Sequence, residues 1–192
     1  MKQRAPIAVA LDAPDLETAA RWAQAVTPHV AVVKIGLELF CRTGPSIVET
    51  VRGGSGVELF LDLKLHDIPN TVAGAARGVA RLKPRYLTVH ASGGADMVRA
   101  AVDAAPEVTI AAVTVLTSLD DAVLRAVGLA GPPLDAVRRL ALLAVGEGLS
   151  ENESRIAAAI ALEGSGNSAV VTRALGSLRF RVTLTGPGGH SW

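Results

Sequence analysis

Asp62-Leu63-Lys64-Leu65-His66-Asp67 sets two acids and a base at the end of an otherwise apolar run, Val57–Leu63. Residues two apart on a strand point to the same side, so Asp62 and Lys64 are neighbours on one face. A carboxylate and an ammonium taken out of water must be paired. Lys34 ends the preceding apolar run, Val30–Ile35, and can bracket Asp62 from its other side. An alternating chain over Lys34, Asp62, Lys64 and Asp67 keeps each group ionised by giving it an opposite neighbour. Such an array holds a carboxylate against a substrate carboxylate while an ammonium stands ready as proton donor. That suits decarboxylation, in which negative charge leaves one group and a proton must arrive at the same carbon.

Outward from this stretch, a short apolar run leads into a helical segment five times in succession. Ile7–Leu11 precedes a helix from Asp15 to about Val26, with Asp15 as N-cap and Leu16, Ala19, Ala20 and Ala23 on one face. Val30–Ile35 leads to a helix near Pro45–Arg52, and Val57–Leu63 to one from about Thr71 to Leu82. Tyr86–Val89 leads to Ala95–Ala104, and Val108–Leu116 to helical segments near Asp120–Val127 and Leu134–Val145. The runs are nearly continuous in apolar residues, the pattern of parallel strands covered on both faces.

Repeated βα units fit a doubly wound sheet or a (β/α)₈ barrel. Asp12, Lys34, Asp62, Lys64, His90, Thr117 and Ser118 fall at the C-terminal ends of successive strands. Only a barrel brings five consecutive strand ends to one mouth. The expected fold is therefore α/β, of the (β/α)₈ TIM-barrel type, incomplete, with five βα units over residues 1–145. Residues 146–154 read as a linker. Residues 155–192 read as a divergent or foreign tail, with one antiparallel strand in the alternating Arg179–Thr185.

The 192 residues carry 19 basic and 18 acidic side chains, a formal charge of +1, which gives no electrostatic reason to expect a nucleic-acid or membrane partner. Aromatic residues make up only 3%, so the core is expected to be aliphatic. The lone Cys41 excludes an intrachain disulfide and is expected to be a buried structural thiol. Ile7–Leu11 is too short for a signal sequence, and no apolar stretch reaches membrane length, so a cytoplasmic protein is expected.

Residues 60–72, Phe-Leu-Asp-Leu-Lys-Leu-His-Asp-Ile-Pro-Asn-Thr-Val, closely resemble the signature of the orotidine 5'-phosphate decarboxylases. Val9–Asp12, Val33–Gly36, Leu87–Ala91 and Val115–Leu119 match in order, and the resemblance covers about residues 5–145. Related sugar-phosphate decarboxylases and synthases share Asp-x-Lys-x-x-Asp, but the continuation Ile68-Pro69-Asn70-Thr71 argues against them. The resemblance implies that Asp12 holds the ribose hydroxyls and that Lys34 contacts the ribose and orients Asp62. It implies that Asp62 sits against the departing carboxylate and that Lys64 delivers the proton to the ring carbanion. Asp67 and Thr71 would reach the neighbouring subunit's site in a homodimer, and Ser118 would hydrogen-bond the pyrimidine. The family uses a small nucleotide substrate, no metal and no organic cofactor. His66 is expected as a support or interface residue, and His29 as a loop residue; His90 either lines the pocket or is a satisfied core histidine.

The family's phosphate site lies on loops after the seventh and eighth strands, and no segment here matches it. Ala159–Glu163 and Arg173–Trp192 resemble instead part of the dimerisation domain of zinc-dependent aminoacylase and carboxypeptidase-type exopeptidases, with His190 in their Gly-Gly-His-Ser run. Five strands cannot close a barrel, which leaves the first and fifth with open edges. The tail strand could cover an edge, dimerisation could bury the opening, or the chain is a truncated or hybrid product without activity.

Overall fold

The computed structural model describes residues 4–129 and 131–150, together with the pairs 153–154, 169–170 and 180–181. Five strands, β1 (Ala5–Ala10), β2 (Val30–Gly36), β3 (Glu58–Leu65), β4 (Tyr86–His90) and β5 (Thr109–Val113), run parallel in sequence order as a curled half barrel. Each sequential neighbour is also the spatial neighbour, which is what short helical crossovers enforce. The helices are α1 (Leu16–Val26), α2 (Leu37–Thr43), α3 (Ser46–Arg52), α4 (Pro69–Ala80), α5 (Ala95–Ala104), α6 (Asp121–Ala126) and α7 (Pro133–Gly148).

Local chemistry explains where these elements begin. Asp15 caps α1 by accepting the Thr18 N–H at 2.7 Å. Asp120 caps α6 by accepting from the N–H groups of Ala122 and Val123. Pro69 opens α4, where a missing N–H costs nothing. Gly53, in the left-handed region at φ 46°, closes α3.

The core lies between the sheet and its outer helices. Val33, Ile35, Leu59, Leu61, Leu87, Val89 and Ile110 from the strands meet Ala19, Ala23, Ile47, Val48, Val72, Ala76, Met97 and Val98 from the helices. A second cluster joins Ala112 of β5 to Leu140 and Ala144 of α7.

Several expectations are corrected. Leu16 is 38% exposed, so α1 buries Ala19 and Ala23 but not its first residue. The short α2 has no counterpart in the sequence reading, because seven residues show too little of a helical period. Cys41 lies on it and is exposed, not a core thiol. Leu39 is the residue α2 buries, and a residue two positions on points to the opposite side of a helix. β5 stops at Val113, where its pairing with β4 ends at His90, so Thr117 and Ser118 lie beyond the strand on an exposed loop. Residues 146–148, read as linker, are the end of α7. Leu149–Ser150 then pairs antiparallel with Glu153–Ser154.

The two edges of the half barrel differ. β1 is the exception to burial on both faces, with Ile7 50% exposed, because no strand pairs with its outer edge among the described residues. β5 is well buried, since α5 packs on it and Leu140 and Ala144 of α7 meet its Ala112. Of the expected tail strand, Phe180–Arg181 pairs antiparallel with Ala169–Val170 in a separate two-stranded sheet, and its remaining residues lie outside the described ones. The exopeptidase-like segments, with His190, lie outside them too apart from Phe180–Arg181. Among the described residues no helix is long and apolar enough to cross a membrane.

Leu61 sits fully buried at the centre of β3. Leu61→Ala should lower stability by about 2–5 kcal/mol, read as a lower urea midpoint, because a cavity opens where both faces are packed. A midpoint within experimental error of the wild type would contradict this account of the core.

Candidate active site

At the C-terminal ends of β1, β2 and β3 the charged residues converge. Register explains how. Gly36 of β2 stands beside Asp62 of β3, so Lys34, two residues earlier on the same strand, reaches up past Gly36 toward the carboxylate. Lys34 Nζ lies 3.4 Å from Asp62 Oδ2 and 3.4 Å from Asp12 Oδ1. Lys64 Nζ donates to Asp62 Oδ1 at 2.8 Å. The four groups form one array, Asp12–Lys34–Asp62–Lys64, around a cavity of about 220 Å³ that Gly36 also lines. A Cβ at Gly36 would stand 3.3 Å from Asp12 Oδ1, so a side chain there would crowd the Asp12–Lys34 pair.

Asp62 is 7% exposed. Burial alone would raise its pKa. The Lys64 hydrogen bond, the charges of Lys34 and Lys64 and the Thr88 hydroxyl outweigh that effect and hold it below the usual carboxylate range. Asp62 is therefore ionised at neutral pH, a fixed negative charge in the cavity wall. The ammonium of Lys64 stands beside it.

Lys64 also departs from ordinary strand geometry. Its φ is +49°, and the β3–β4 register shifts between Leu61 and Leu65. Thr88 Oγ1 on β4 accepts the Lys64 N–H at 2.8 Å and donates to Asp62 Oδ1 at 3.0 Å. Thr88 is not among the site residues expected from the sequence. Its signal was a hydroxyl in the middle of the apolar strand Tyr86–His90.

The remaining candidates stand outside the cavity within one chain. Asp67 is exposed on the β3–α4 loop, where its Oδ1 accepts the Ile68 N–H at 2.7 Å. The expected alternating chain thus starts at Asp12 and ends at Lys64, without Asp67. Thr71 is exposed in the first turn of α4, and Ser118 on the loop after β5. Among the described residues no group of three or more His, Cys, Asp or Glu could hold a metal ion.

His66 and His90 flank the array, with ring centroids 5.2 Å apart. Gly93 allows the approach, since a Cβ there would stand 2.1 Å from Met97 Sδ and 3.1 Å from His66 Cδ2. His90 is half-buried and is not among the residues that line the cavity between Asp12 and Lys64. Burial, then the positive fields of His66 and Lys64, depress its pKa, against a smaller opposing effect of Asp62.

A half barrel of parallel strands with its polar groups gathered at the C-terminal strand ends defines a (β/α)-barrel protein with a charged mouth. Residues 5–173 match the model of the orotidine 5'-phosphate decarboxylase / HUMPS family, and the chain belongs to that family. It is 73% identical over 144 residues to the orotidine 5'-phosphate decarboxylase of Thermobifida fusca, covering 75% of this chain and 62% of that protein. It is 62% identical over 162 residues to that of Frankia casuarinae, covering 76% of this chain and 59% of that protein. The crystal structure of orotidine 5'-phosphate decarboxylase from Lactobacillus acidophilus superposes with a TM-score of 0.68 at 35% identity, over 76% of this chain and 69% of that one. The chain thus spans about three fifths of the length of these two curated relatives.

His90 binds its proton less readily in the folded chain than in the unfolded one. Stability should therefore fall as pH drops through the ordinary histidine range, from about pH 7.5 to 5. His90→Gln should flatten the fall of Tm over that range. An unchanged slope would assign the titration to other groups.

Proposed function

We propose that this chain carries the bond-breaking and proton-donating half of an orotidine 5'-phosphate decarboxylase, converting orotidine 5'-phosphate to UMP in pyrimidine synthesis. The observation that carries the reading is the continuous Asp12–Lys34–Asp62–Lys64 array, in which a buried ionised carboxylate directly contacts an ammonium. The names of the curated relatives at 62–73% identity support the same reaction.

In this reading Asp12 and Lys34 hold the ribose hydroxyls, and Lys34 also orients Asp62. The substrate carboxylate lies against Asp62, where repulsion between two anions raises the energy of the bound substrate but is relieved as CO₂ departs. The ring carbon left with the electron pair takes a proton from Lys64. Ammonium beside carbanion is a favourable pairing that the ground state lacks, so it lowers the barrier selectively. Ser118 contacts the pyrimidine. Asp67 and Thr71, exposed and outside the cavity of their own chain, reach the site of a second copy, so the working unit is a homodimer.

The substrate's phosphate is distant from the reacting carbon, and binding energy gained there supports the chemistry. No residue of the cavity described above is assigned to it. A second reading, a half barrel that only self-associates, is favoured by the exposed β1 edge with Ile7 at the surface.

Conversion of orotidine 5'-phosphate to UMP, followed by loss of substrate absorbance, separates the two. The wild-type chain should form UMP without added divalent metal, and Lys64→Ala should lower the rate by about 10²–10⁴-fold. No UMP from a folded wild-type chain supports the non-catalytic reading. A strict metal requirement points to sugar-phosphate chemistry, and full activity in Lys64→Ala removes that residue as proton donor.

A further inference from the structure

We propose that Thr88 is a positioning residue for the Asp62–Lys64 pair, acting through one hydroxyl that fixes both the Asp62 carboxylate and the backbone of Lys64. The inference rests on reading the cluster as a decarboxylation centre. At Lys64, β3 departs from the regular ladder: the register with β4 shifts between Leu61 and Leu65, and φ swings to +49°. The other non-glycine residue with positive φ among those described, Lys83, follows the end of α4, where left-handed residues are ordinary. Inside a strand, for a long side chain, the conformation persists only where its surroundings hold it.

Thr88 supplies that hold. Its Oγ1 accepts the Lys64 N–H at 2.8 Å, within the stretch where the β3–β4 register shifts. The same hydroxyl spends its single proton on Asp62 Oδ1, at 3.0 Å. The two bonds therefore run in one direction, from Lys64 amide to Thr88 hydroxyl to Asp62 carboxylate. Oδ1 is also the oxygen that Lys64 Nζ contacts at 2.8 Å. Backbone amide, hydroxyl, carboxylate and ammonium thus close a ring that begins and ends on Lys64. Thr88 is 3% exposed, which keeps water from substituting for either bond, and its branched Cβ gives the hydroxyl few alternative directions.

The ring sets the relative position of the two reacting groups. Without the hydroxyl, Asp62 is free to rotate and Lys64 to relax toward ordinary strand geometry, and either motion displaces the ammonium. Displacements of about an ångström at a reacting centre cost on the order of 10²-fold in rate.

Three chains test this: wild type, Thr88→Val, which keeps the shape and removes the hydroxyl, and Thr88→Ser, which restores it. Thr88→Val should lower kcat about 10²-fold with KM changed less than about threefold. It should also raise the midpoint of the Asp62 carboxyl titration followed by NMR, and speed hydrogen exchange of the Lys64 amide. Thr88→Ser should recover all three. Wild-type kcat and Asp62 titration in Thr88→Val overturn the proposal, as does a loss in Thr88→Ser equal to that in Thr88→Val. Should Thr88→Val not fold, the wild type decides alone: a protected Lys64 amide supports the bond, and exchange at the rate of an unstructured chain overturns it. Absence of UMP from the wild type counts against the decarboxylase reading, while titration and exchange still decide the role of Thr88.

Discussion

A buried carboxylate must be answered by charge and hydrogen bonds, and Asp62 imposes that condition on the whole mouth of the half barrel. Lys34 and Lys64 answer its charge, and Thr88 completes its hydrogen bonding. Each of these comes from a different strand or a different position on one, so the condition can be met only if β2, β3 and β4 hold their register. The apolar runs between them supply that register by burying Val33, Ile35, Leu59, Leu61, Leu87 and Val89 against the outer helices. The ion array therefore depends on the core, and the core leaves the array one geometry.

The five strands show how little of a closed barrel this arrangement requires. Asp12, Lys34, Asp62, Lys64 and Thr88 belong to β1–β4 and the residue pair just past β1, so the array is complete without any neighbour for β5. The outer edge of β1 is the opposite case, since its apolar residues are exposed on the same element that leads to Asp12. The Asp12 end of the array is thus built beside an edge strand, and the Lys64 end on β3, which has a paired strand on each side.

Much of this was legible in the sequence because charge inside apolar runs is a strong signal. Lys34, Asp62 and Lys64 stand out against Val, Ile and Leu, and the strand period already makes Asp62 and Lys64 neighbours. The helix α5 falls on the residues expected, and α1 begins at its expected cap. What was not legible depends on three-dimensional pairing. Thr88 carries no charge, and its partner is the backbone of a residue 24 positions away, which no local pattern encodes. The end of β5 is set by where β4 stops offering partners, so residues 114–118 could not be placed from their own composition. The exposure of Cys41 follows from a seven-residue helix too short to announce itself.

The left-handed backbone at Lys64 places two demands on one position. Glycine would occupy that conformation freely, whereas a lysine there is strained by about 1–2 kcal/mol. Only lysine carries the amine that meets Asp62. The backbone alone would favour glycine, whereas the buried Asp62 carboxylate requires the ammonium, so backbone strain and ion pairing are set against each other at a single Cα. The cost is borne locally, by a strand whose buried residues Leu59, Leu61, Asp62 and Leu63 have little freedom to redistribute it.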